Sequence, residues 1–211
     1  MKTEKTKLKG MSLIELLVAI AIFTIGIMGF TQLFMRSWKV NSYTMQMGQT
    51  SLAVSQGVSK MTGYLRKARQ GDDGAYAIKS AAKNDLVVFS DYDKDGAAER
   101  LHFYLQNGQL KMGITKPTNT IPKTYPAGDQ TVQVITDKIV NDANAPMFYY
   151  YNKNYPGDAA NNPVPEPVDI SLIRLIKVSL QVNIDPVKNP TPMQMESFVE
   201  LRNLNDYDRI L

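Results

Sequence analysis

Three aspartates at alternate positions, Asp91, Asp93 and Asp95, run into Gly96, and Glu99 follows three residues later. Alternating carboxylates in a tight turn can aim their oxygens at one hard cation, and the glycine permits the turn. Counted from Asp91, Glu99 stands at the ninth position of such a loop, but the twelfth is His102, where an EF-hand needs a bidentate glutamate. The flanking residues also read as strands rather than helices, which disfavours an EF-hand. Two readings stay open: a calcium loop between strands through Asp91, Asp93, Asp95 and Glu99, or a metal-free acidic turn. A different carboxylate, Glu15, stands at the head of a long apolar block. An ionisable group at the edge of a membrane segment is costly, so it should have a partner or a function; the plainer alternative is an interfacial carboxylate that favours a helix N-terminus. Other chemistry is sparse. The chain has no cysteine, which removes disulfides, thiolate metal sites and cysteine nucleophiles. Its one histidine, His102, lies on an expected strand and reads as structural rather than catalytic. Tyr149, Tyr150, Tyr151 and Tyr155 form an aromatic cluster suited to strand packing, with a contact surface for another subunit or a ligand as the alternative. No phosphate-binding glycine loop is present and no enzyme class is indicated.

The elements that must carry these residues fall into two regimes. From Leu16 to Met35 no side chain is charged, a run of 20 residues or about 30 Å as a helix, which matches the hydrocarbon thickness of a bilayer. Lys2, Lys5, Lys7 and Lys9 precede it. This basic flank should stay cytoplasmic and the body should then lie outside. The run exceeds the apolar core of a secretory signal peptide, and no convincing Ala-x-Ala site follows it. The chain holds 24 Lys and Arg against 20 Asp and Glu, a net charge of +4. Four lysines and one glutamate lie in the first ten residues, so the remainder carries 20 basic and 19 acidic side chains, a net of about +1. That near-neutral body gives no broad basic face for nucleic acid. Met47, Ser51, Val54, Val58, Met61, Leu65 and Ala68 recur at helical spacing, with no proline between Ser12 and Gln70, and Gly71-Asp72-Asp73-Gly74 ends the run. Short strands follow: Asp85–Ser90, Arg100–Leu105 and Gln109–Ile114, the last two joined by the hairpin signal Asn107-Gly108. Thr131–Val140 and Met147–Tyr151 are weaker candidates, Ile176–Ile184 alternates cleanly, and Met195–Leu201 suggests a final strand. Residues 115–130 and 152–169 read as exposed loops. The expected fold is α+β: a long N-terminal helix, its apolar half protruding, packed on an antiparallel sheet.

Lys9-Gly10 followed by Met11-Ser12-Leu13-Ile14-Glu15-Leu16-Leu17-Val18-Ala19-Ile20 resembles the class III signal of type IV prepilins and type II secretion pseudopilins. The resemblance implies cleavage by a prepilin peptidase between Gly10 and Met11, N-methylation of Met11, and an assembly role for Glu15, then the fifth mature residue. Met11 departs from the usual phenylalanine. By this resemblance residues 1–10 are a removed leader, 11–36 a transmembrane and then filament-core helix, 37–70 an amphipathic helix on the sheet, and 71–211 a β-rich pilin body. Leu86 to Leu110 and Val199 to Leu204 look like W-type minor pilins or J-type minor pseudopilins. The implied function is a structural filament subunit in the bacterial inner membrane and then in a pilus or pseudopilus. Its partners are other pilins and the prepilin peptidase; no cofactor is required, with calcium as the one candidate. The alternative is a single-pass anchored calcium-binding or adhesive domain that never polymerises. Gly26 and Gly29 stand where many major pilins have a helix-kinking proline.

Overall fold

A computed structural model of the chain describes residues 10–184 and 192–204, so the leader lysines lie outside it. The chain divides into two compact units, Met1–Met47 and Gly48–Leu211. Helix α1, Leu13–Arg66, contributes to both. Within the first unit every side chain from residue 11 to 41 is exposed, including Leu13, Ile22, Phe23, Ile25, Phe30, Leu33 and Trp38. The segment is long and apolar enough to cross a membrane. Its two threonines bond within the helix: Thr24 donates to the Ile20 carbonyl and Thr31 to that of Ile27, both at 2.8 Å. A threonine that bonds its own helix backbone can face lipid without an orphaned polar group. Phe30, Phe34 and Trp38 stack one turn apart along the same stripe. No atom outside the helix's own turns lies within 4 Å of where a side chain on Gly26 or Gly29 would begin.

In the second unit the end of α1 is amphipathic as the spacing requires. Val54, Val58, Met61 and Leu65 are buried, and Ala68 just beyond the helix joins them. The helix stops at Arg66 rather than at Gln70. Arg69 then donates its backbone N–H to the Phe89 carbonyl at 2.9 Å, tying the exit of the helix to the sheet. Gly74, at φ 81°, closes the following turn, a conformation only glycine adopts without strain.

Among the described residues eight strands follow: β1 Ile78–Ala82, β2 Asp85–Ser90, β3 Glu99–Gln106, β4 Gln109–Thr115, β5 Thr131–Thr136, β6 Phe148–Tyr151, β7 Leu175–Val182 and β8 Met193–Glu200. They form two antiparallel sheets, β1-β2-β3-β4-β5 and β6-β7-β8, where the sequence suggested one. The β3–β4 hairpin turns at Asn107 and Gly108, both at positive φ (53° and 69°), as the right-handed strand twist favours. Strand β1 was not expected: its Lys79-Ser80-Ala81-Ala82 is too polar and small to signal a strand, and its pairing to β2 supplies the order. The two sheets share one core with α1, in which Leu86, Leu101, Phe103, Leu110, Met112, Phe148, Ile176, Val178 and Val199 meet Met61 and Leu65. Truncating such a side chain to alanine costs about 2–5 kcal/mol.

Asn141 ties the connection between β5 and β6 to β7. Its amide donates to the Ala145 and Ser179 carbonyls and its oxygen accepts from the Gln181 N–H, so this buried amide meets three backbone groups. The stretch 152–169 is a largely exposed loop, as expected, but it sends Val164 into the core and bonds the Val164 N–H to the Tyr150 carbonyl.

Candidate functional site

At the N-terminus, Gly10, Met11 and Ser12 are exposed and non-helical, and α1 begins immediately after them. The Gly10–Met11 bond therefore lies in open chain. Glu15 turns back on that entrance. Its Oε2 accepts the Ser12 backbone N–H at 2.8 Å and the Ser12 hydroxyl at 3.1 Å, while the Glu15 N–H donates to Ser12 Oγ at 3.3 Å. This reciprocal pair is a capping box, and it satisfies donors that the first helical turn would leave open. Ser12 is a site residue that the sequence signals only through the pattern Ser-x-x-Glu ahead of an apolar run. The cap fixes where the carboxylate sits: beside the backbone N–H of the residue that follows Met11.

The acidic turn connects β2 to β3. Ser90 pairs with Glu99 at the open end of that ladder, so Asp91 and Glu99 are brought together although eight residues apart. Lys94 (φ 63°) and Gly96 (φ 91°) give the connection its reversal. Carboxylate oxygens of Asp91, Asp93 and Glu99 lie within 4.8 Å of one another. Asp95, the fourth expected ligand, is engaged otherwise: its Oδ1 accepts the Ala97 N–H at 2.8 Å. Lys116, just past β4, places its Nζ 2.5 Å from Asp93 Oδ2 and 3.6 Å from Asp95 Oδ2. Sequence reading had no means of placing this lysine, which lies more than twenty residues from Asp93 and arrives only through the β3–β4 hairpin.

His102 projects from β3 between two carboxylates, with Nε2 2.6 Å from Asp85 Oδ2 and Nδ1 3.0 Å from Asp129 Oδ2. Both nitrogens are thereby occupied, which suits a strap across strands and not a proton shuttle. The aromatic cluster divides by face. Tyr150 is buried in the core and donates to the Ala82 carbonyl, whereas Tyr151 packs with Tyr155 and Phe198. Lys177 lies over the Tyr149 and Phe198 rings and pairs with Glu196 at 2.7 Å.

An exposed Gly10–Met11 bond, a capped glutamate and a bare apolar helix thus follow one another in the first forty residues. Residues 5–31 match the prokaryotic N-terminal methylation motif. The chain carries a prepilin-type signal of the sort that type IV pilins and pseudopilins bear. The match spans Gly10, Met11, Ser12 and Glu15 and does not extend into the body. No curated protein sequence matches the chain. The apolar helix and this motif together are consistent with membrane anchoring and pilus assembly.

Proposed function

We propose that the chain is a minor subunit of a type IV pilus or type II secretion-like filament. A prepilin peptidase cuts it between Gly10 and Met11 and Met11 is N-methylated. Residues 11–36 hold it in the bacterial inner membrane, N-terminus cytoplasmic and body outside, until the helix packs among those of other pilins. The observation that carries this reading is the coincidence of the methylation motif with a helix segment whose large apolar side chains all lie exposed. Burying one such side chain is worth about 1.5–3 kcal/mol, so a stretch of this length demands lipid or protein cover. The minor-subunit assignment rests on the W-type and J-type likeness of the body alone.

Glu15 gives the assembly its register. Cleavage frees an amine at Met11, one residue before Ser12. The Glu15 carboxylate can exchange its cap for that amine on its own chain or on the chain it docks against. Pairing offsets the cost of carrying a lone carboxylate into an apolar bundle.

N-terminal mass analysis of the protein from native cells tests the reading. A chain that begins at N-methyl-Met11 is expected, and substitution of Gly10 should leave the precursor uncut. An intact Met1, or a cut after the apolar run, would leave a tethered, non-polymerising domain instead. Glu15→Ala should be processed normally yet enter filaments at least about tenfold less often. Normal incorporation of that variant would remove the pairing mechanism while leaving the processing step intact.

A further inference from the structure

The turn between β2 and β3 holds more negative charge than its own side chains neutralise. Glu99 is fully buried. Its Oε2 accepts the Tyr92 N–H at 2.7 Å, but its Oε1 has no hydrogen-bond partner. Asp91 Oδ1 is likewise buried without a partner. A buried carboxylate oxygen left unpaired is costly, so two within one turn point to something that would bind both. Lys116 does not fill that role. Its ammonium sits on Asp93 and Asp95 at the rim, half exposed, and neither orphaned oxygen bonds to it.

We propose that Asp91, Asp93 and Glu99 bind one calcium ion, and that Lys116 is a built-in competitor for the Asp93 ligand. Ligands about 2.3–2.6 Å from one ion lie no more than about 5 Å apart. The three carboxylates already meet that condition, with oxygens within 4.8 Å of one another. Carboxylate oxygens suit a hard cation, and an irregular set completed by water suits calcium better than magnesium, which demands near-ideal octahedral geometry. Asp93 also accepts from the Asp95 N–H through Oδ1 at 3.4 Å, a weak bond, so Lys116 is the stronger of the two contacts holding this carboxylate.

The surroundings make the site consequential. Ser90 Oγ donates to the Tyr64 carbonyl at 3.1 Å, and Arg69 donates to the Gly96 carbonyl at 2.5 Å. Calcium would therefore brace the β2–β3 turn against the last turn of α1 and the segment that leaves it. This inference stands independently of the filament reading.

The full chain, freed of metal with a chelator and held in detergent micelles, can be titrated with calcium chloride by calorimetry. One ion per chain is expected, with a Kd of about 10⁻⁴–10⁻³ M, the range of weak extracellular sites. Glu99→Gln should weaken binding at least about tenfold, and Lys116→Met should tighten it about threefold or more. The absence of saturable binding up to about 10 mM calcium, or unchanged binding in Glu99→Gln, would overturn the site. Should Glu99→Gln lose its cooperative melting, Asp91→Asn carries the same expected loss, and full binding in that variant would overturn the site equally. Unchanged or weaker affinity in Lys116→Met would remove the competitor role assigned to the lysine.

Discussion

His102 shows how one residue can be prominent in a sequence and yet serve stability. Burial by itself would lower its pKa, but the hydrogen bonds that the ring donates to the Asp85 and Asp129 carboxylates, with their charges, outweigh that and raise it above the ordinary histidine value. A histidine raised in this way stabilises the fold fully below its unfolded value near 6.5, and the contribution is lost as pH rises through the folded pKa. Urea midpoints should therefore fall as pH climbs from about 6 upward. His102→Gln should flatten that dependence and cost about 1 kcal/mol at pH 6, discounted for partial exposure, and less at pH 9. A slope unchanged by the substitution would show that other groups set it. At the N-terminus the same scale separates capping from pairing. Ser12→Ala removes the hydroxyl of the capping box and should cost the start of α1 about 1 kcal/mol, visible as faster amide exchange over its first turn. It should enter filaments far more readily than Glu15→Ala, because the carboxylate remains. Equal defects in the two variants would make helix capping, not charge pairing, the role of Glu15.

Among elements, the contact between α1 and β5 is close enough to require a glycine. A side chain begun at Gly57 would lie 2.8 Å from Ile135 Cγ2 and 3.4 Å from the Ile135 carbonyl oxygen. Gly63 on the same helix has no such neighbour within 4 Å. Alanine is the better helix former at both positions by about 1 kcal/mol, so only packing distinguishes them. Gly63→Ala should raise stability by about 0.5–1 kcal/mol, whereas Gly57→Ala should lower it by about 1 kcal/mol or more, both read by denaturant unfolding. The five-stranded sheet shows a comparable economy at Gly113. Asp129 lies where a side chain on that residue would start, and the vacancy lets its carboxylate reach His102 across β4.

For the whole molecule, the decisive property is an asymmetry of cover. The second unit buries its apolar residues around one core, whereas the apolar residues of the first stand exposed from Leu13 to Val40. The chain should sediment with membranes and resist extraction by high salt. Ile22→Arg, in the middle of the run, should cost about 2.5–3.5 kcal/mol of insertion and shift a measurable share out of the membrane fraction. Retention of the full amount would show that the body, not the helix, holds the chain to the membrane.

The sequence by itself determined whatever depends on local chemistry and period. The uncharged run, the glycine and glutamate that flank its start, the helical stripe from Val54 to Ala68, the Asn107-Gly108 turn and the alternation from Ile176 to Val182 all act between near neighbours, and each could be read in place. Tertiary structure alone decided what depends on distant residues. It divided the strands into two sheets, drafted the unpromising Lys79-Ser80-Ala81-Ala82 as an edge partner for β2, and turned the Val164 side chain of a largely exposed loop into the core. It also brought Lys116 to the acidic turn and closed Asp85 and Asp129 around His102. Pairing of strands sets such meetings, and pairing is a global choice among many registers that short-range patterns do not encode.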